Sequence, residues 1–82
     1  MESIKHSLYF QRSNGTYLLL AENVTKEEAI KKMHSFLSEC NFKSYYQIYR
    51  GTEEQGFEID VGSWTEFFIW SDLIDQSKIV KT

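Results

Sequence analysis

The chain has 82 residues, a single cysteine, no proline and a net charge of −3, from nine Lys plus Arg against twelve Asp plus Glu. This length predicts one domain with a thin stability margin, and the lone Cys40 excludes an internal disulfide and fits a reducing cytosol. The acid excess, with basic residues scattered apart from Lys31-Lys32, disfavours direct DNA or RNA binding. No basic start leads into an apolar run, as a signal peptide requires. No apolar stretch approaches the roughly 20 residues that cross a bilayer, so a cytoplasmic protein is expected.

Taken in order, Ile4 to Gln11 alternates as a half-buried strand, with Ile4, His6, Leu8 and Phe10 on one side and Lys5, Ser7, Tyr9 and Gln11 on the other. Asn14-Gly15 is a strong hairpin signal, because a tight turn needs positive φ at its centre. A two-residue loop there pairs Ser13 with Thr16, Phe10 with Leu19 and Leu8 with Ala21, leaving Leu18 and Leu20 on the face of Tyr9.

Thr25-Lys-Glu-Glu28 is a capping box, in which two side chains satisfy orphan N–H groups at a helix start. Glu27 and Glu28 also suit the positive end of the helix dipole. Ala29, Ile30, Met33, Phe36, Leu37 and Cys40 then recur at spacings of three and four, predicting a helix held by packing on a sheet. Asn41 suits the left-handed position that ends a helix.

Tyr45 to Arg50 is a third strand, with Tyr46 and Ile48 on one side and Tyr45, Gln47 and Tyr49 on the other. A polar turn from Gly51 to Gly56 follows. Phe57 to Trp70 reads as two further strands joined at Gly62. In the first, Phe57, Ile59 and Val61 oppose Glu58 and Asp60; in the second, Phe67 and Ile69 oppose Glu66, Phe68 and Trp70. The expected architecture is α+β in the order ββαβββ, a mainly antiparallel sheet with one helix on one face. It comprises one domain over residues 1–75 and a flexible tail over 76–82. The helix then covers Leu8, Phe10, Leu19, Ile48, Ile59, Phe67 and Ile69.

The open face carries the functional expectation. With 16% aromatic residues, so short a chain cannot hide every ring, and surplus rings belong at interfaces. Tyr45, Tyr49, Asp60, Trp64, Glu66, Phe68 and Trp70 form the candidate partner-binding set: aromatic anchors among acids. The simpler reading of those rings is ordinary strand residues, with Leu73, Ile74, Ile79 and Val80 folding back over the face.

Chemistry beyond binding finds little support. His6, His34 and Cys40 lack metal-ligand spacing, so neither a metal nor another cofactor is expected. Cys40, near a helix C-terminus, lacks the surroundings that activate a thiolate. Gly62-Ser63-Trp64 lacks the second glycine of a nucleophile elbow. Glu58 and Asp60 share a strand face but read more simply as a solvated rim than as an acid–base pair. The expectation is a non-enzyme.

The segment Gly56 to Trp70, together with the Asn-Gly hairpin and the Thr-Lys-Glu-Glu-Ala helix start, resembles small proteins of phages and prophages of Gram-positive bacteria. The similarity spans residues 6–70 and is most specific from Ile59 to Phe68. The resemblance implies a counter-defence setting, in which the protein occupies and inhibits a bacterial host protein. Two other readings stand beside it: an oligomeric sponge for a nucleotide immune signal, with aromatics lining shared pockets, and a structural protein that homodimerises through the open face.

Overall fold

The computed structural model describes residues 3–40, 47–62 and 66–80. Six strands and one α-helix are found among them: β1 (His6–Gln11), β2 (Tyr17–Val24), α1 (Lys26–Glu39), β3 (Ile48–Thr52), β4 (Gly56–Asp60), β5 (Phe67–Trp70) and β6 (Ile79–Val80). The strands form one sheet in the order β3-β4-β5-β1-β2-β6, antiparallel except for β2 with β6. This is the expected α+β class, enlarged by β6.

The helix starts where its capping box dictates. The Thr25 hydroxyl accepts from the Glu28 N–H, and the Glu28 carboxylate accepts from the Thr25 N–H at 3.0 Å. Ala29, Met33 and Leu37 are buried along one side of α1, against Leu8, Ile59, Val61, Phe68 and Trp70. Thr25→Ala should cost about 1 kcal/mol. The cap also makes stability depend on pH. Hydrogen bonds from the Thr25 backbone, then from its hydroxyl, hold the Glu28 carboxyl below its ordinary 4.5. A carboxyl lowered by folding stabilises above its unfolded value, and this contribution is lost as pH falls through the lowered folded one. Urea midpoints at pH 7 and pH 3 should therefore differ less for Glu28→Gln than for the wild type.

The first hairpin departs from the two-residue expectation. The Gly15 N–H donates to Arg12 O at 2.9 Å and the Arg12 N–H to Thr16 O at 2.8 Å, which closes a three-residue loop over Ser13, Asn14 and Gly15. Gly15 takes the left-handed third position, φ +85°. Asn14 Oδ1 accepts from both the N–H and the hydroxyl of Thr16. The extra loop residue slips the register by one, so Phe10 faces Leu18 and Tyr9 faces Leu19. A slip of one exchanges the faces of a strand. Leu18 therefore lines a cleft beside Phe36 and Lys32 of α1, and Leu19 shares the face of Tyr9. A bulge in β2 then restores the expected pairing of Leu8 with Ala21.

Two connections cross the sheet. β2, β3, β5 and β6 run parallel to one another, since β1 and β4 are antiparallel to their neighbours. The β2-to-β3 connection, which carries α1, runs one way across the strand order, and the β5-to-β6 connection runs the other. Parallel crossovers are right-handed, so the two must use opposite faces. α1 holds one face against β1, β2 and β5. By that rule the connection through residues 71–78, which includes the 3-10 turn Gln76–Lys78, belongs on the other face. There Tyr9 is only 6% exposed. Where the sequence pattern leaves a tail from residue 76, Ile79 and Val80 pair with Tyr17 and Leu18.

Candidate functional site

Cross-strand pairing fixes which side chains the face opposite α1 presents. On the helix side, Leu8 faces Trp70, Phe10 faces Phe68, Phe57 faces Trp70 and Ile59 faces Phe68. Phe68 is 0% exposed and Trp70 1%. This corrects two of the seven predicted contact residues: Phe68 and Trp70 belong to the core, while Phe67 and Ile69, expected beneath the helix, lie on the opposite face. The run Phe67-Phe68-Ile69-Trp70 has no polar member, so alternation alone cannot orient it. Glu66 was the only cue, and the pairing of β5 with β1 overrides it.

Trp70 is fixed on several sides. Its indole N–H donates to Val24 O at 2.9 Å, Phe57 stacks on it at 5.9 Å, and His6 meets it edge-to-face at 4.7 Å. Phe68 packs against Phe10 and Phe36.

Tyr49 is also corrected. It faces Ile59, so it turns towards α1, where it is half-buried beside Phe57 at 6.0 Å. Lys26 Nζ lies over both rings, 5.4 Å from Tyr49 and 4.7 Å from Phe57. The Tyr49 hydroxyl donates to Gln47 Oε1 at 2.9 Å, and burial pushes its phenol above the ordinary 10.0. Ile48, expected beneath the helix, is instead 42% exposed on the other face.

Asp60 keeps its predicted face. Its carboxylate accepts from the Gly62 N–H at 2.9 Å and lies 3.8 Å from the Arg50 guanidinium. Arg50 is largely exposed, so this ion pair stabilises by at most about 1 kcal/mol. Glu66 is half-buried. Tyr45 and Trp64 lie outside the described residues. The five of the seven predicted residues that are described thus do not converge on one surface.

What the open face does present, over β3, β4 and β5, is Ile48, Arg50, Glu58, Asp60, Phe67 and Ile69. Ile48 faces Asp60, Arg50 faces Glu58, and Glu58 faces Ile69. Ile48, Arg50 and Glu58 are exposed and the other three half-buried. Three apolar side chains thus lie among two carboxylates and a guanidinium. The pattern of β4 showed the carboxylates; Ile48, Phe67 and Ile69 followed only from pairing.

A second cluster escaped the sequence reading. His6 is buried, with Nε2 2.8 Å from Glu53 O and Nδ1 3.3 Å from an Asp72 carboxylate oxygen. Asp72 also accepts from the Ser7 N–H, and the Ser71 hydroxyl donates to Gln55 O. This joint ties β1, the β3–β4 turn and the exit of β5 together. His6 and Asp72 are 66 positions apart, beyond the reach of any local pattern. Among the described residues no group of three or more His, Cys, Asp or Glu could hold a metal ion, and no helix is long and apolar enough to cross a membrane. Comparison with known protein families, curated proteins and solved structures finds no match.

Proposed function

We propose that this chain is a non-enzymatic binding module that docks a protein partner on the β3–β5 half of the face opposite α1. The resemblance to phage and prophage proteins makes that partner a bacterial host protein, inhibited by being covered. The observation that carries the reading is Ile48, 42% exposed on the sheet's outer strand, with Phe67 and Ile69 two strands away on the same face and Glu58 and Asp60 on β4 between them. Apolar anchors interleaved with charged groups that can pair across a contact suit a protein interface. The two acids, on a chain of net charge −3, favour a partner with a basic surface, since complementary charge steers encounter. A nucleotide-sequestering role has less support, because the Phe68 and Trp70 rings are buried in the core and cannot stack on a base.

The test is capture from bacterial lysate by the immobilised protein. Ile48→Lys and Glu58→Lys should each lower recovery of a stoichiometric partner at least tenfold, with melting temperatures close to wild type, because both side chains are exposed. Undiminished recovery with both variants would assign the contact to another surface.

A further inference from the structure

We infer that residues 73–80 form a strap over the open face, which detaches as a unit while β1–β5 and α1 stay folded. The strap is anchored at two places. At its root, the Ser71 N–H donates to Ser7 O at 3.0 Å, and the Ser7 N–H donates to Asp72 Oδ1 at 3.1 Å. Ser71 is itself buried, and Asp72 also meets His6. At its tip, Ile79 and Val80 pair with Tyr17 and Leu18.

The two anchors differ in strength. The root is braced by the His6 joint. The tip is a parallel pairing two residues long, with both side chains half-buried, and parallel pairing is the less stable kind per residue. Between the anchors the backbone bonds that are seen are local. The Asp75 carboxylate accepts from the N–H and the hydroxyl of Ser77, and the Lys78 N–H donates to Asp75 O. Leu73 is 74% exposed, and Asp75 to Lys78 are exposed as well. Elements with few buried apolar contacts open locally, at a free energy below that of global unfolding.

Closing has a consequence for the surface. The strap crosses β1 and β2 where Tyr9, Tyr17 and Leu19 share a face, and the two tyrosine rings are 6.3 Å apart. Tyr9, only 6% exposed on this face, lies beneath the inferred path of the strap. The closed strap therefore confines the open face to its β3–β5 half; the open strap adds an apolar strip to it and frees the outer edge of β2. This opening does not depend on the binding reading above.

Hydrogen exchange on the full chain tests the inference. Amides of residues 76–80 should exchange on the order of 100-fold faster than those of Leu8 and Phe68, by openings insensitive to low denaturant. Exchange of the strap together with β1, in one denaturant-dependent step, would overturn it. A second measurement reads the cover. In a Cys40→Ser chain, the thiol of Leu19→Cys should react with a thiol reagent at least tenfold faster when Ile79→Asp is added, while the core amides stay protected. An unchanged rate would show that the strap does not shield this face.

Discussion

Trp70→Ala should lower stability by about 3–5 kcal/mol, enough to remove most of the margin of so short a chain. Two losses add. Truncating a side chain that is 1% exposed leaves a cavity against Leu8, Phe57 and His6. It also deprives the Val24 carbonyl of the indole N–H, and that carbonyl sits where β2 turns into the helix cap. A fold of this size loses about 4–8 °C of melting temperature per kcal/mol. The thermal transition followed by far-ultraviolet circular dichroism should therefore fall by more than about 12 °C, or vanish. Ile48→Lys supplies the contrast, with lost binding and an intact transition. A Trp70→Ala protein that melts like wild type but no longer captures a partner would restore Trp70 to the contact surface and overturn the assignment of β5.

The contrast also shows which parts of the fold the sequence could specify. α1 was legible because its signals are local: the Thr25–Glu28 box, four residues long, fixes the start, and the spacing of Ala29, Met33 and Leu37 fixes the buried side. β4 was legible because Glu58 and Asp60 alternate with Phe57, Ile59 and Val61, so polarity alone orients it. β5 was not, because Phe67 to Trp70 are all apolar, and only the partners Leu8 and Phe10 decide which pair turns inward. Tyr49 and Ile48 suffered the same ambiguity, since both suit a strand and only the pairing of Tyr49 with Ile59 separates them. At the first hairpin the Asn-Gly signal was right about the turn but left the loop length open. One extra residue moved Leu18 and Leu19 to opposite faces from those expected. The candidate surface inherited these errors. Asp60 came from the strand whose faces polarity could assign, and the misplaced Tyr49, Phe68 and Trp70 from strands whose faces it could not.

Gly56→Ala should be among the most damaging single-methyl changes available to this chain, and comparison with Gly15→Ala shows why. Both glycines have positive φ, +105° and +85°, so alanine at either is strained by about 1–2 kcal/mol. At Gly15 nothing lies within 4 Å of the added methyl, and the cost should end there. At Gly56 the methyl would collide with Trp70 O and stand 2.5 Å from Ser71 Cβ. Backbone cannot swing aside as a flexible side chain does. β5 would have to move away from β4 at the point where Trp70 enters the core and the Ser71 hydroxyl reaches Gln55 O. Strain and overpacking together should reach about 3 kcal/mol or more. Gly51→Ala repeats the situation between β3 and β4, its methyl colliding with Gly56 O. Urea midpoints should rank wild type above Gly15→Ala, and Gly15→Ala well above both Gly56→Ala and Gly51→Ala. Equal losses at Gly15 and Gly56 would mean that only backbone conformation is at stake, and that β4 and β5 do not approach as closely as this packing requires. The expected ranking instead makes Gly56 the residue that lets the β3–β4 hairpin close onto the end of β5, which positions the His6 joint and the root of the strap.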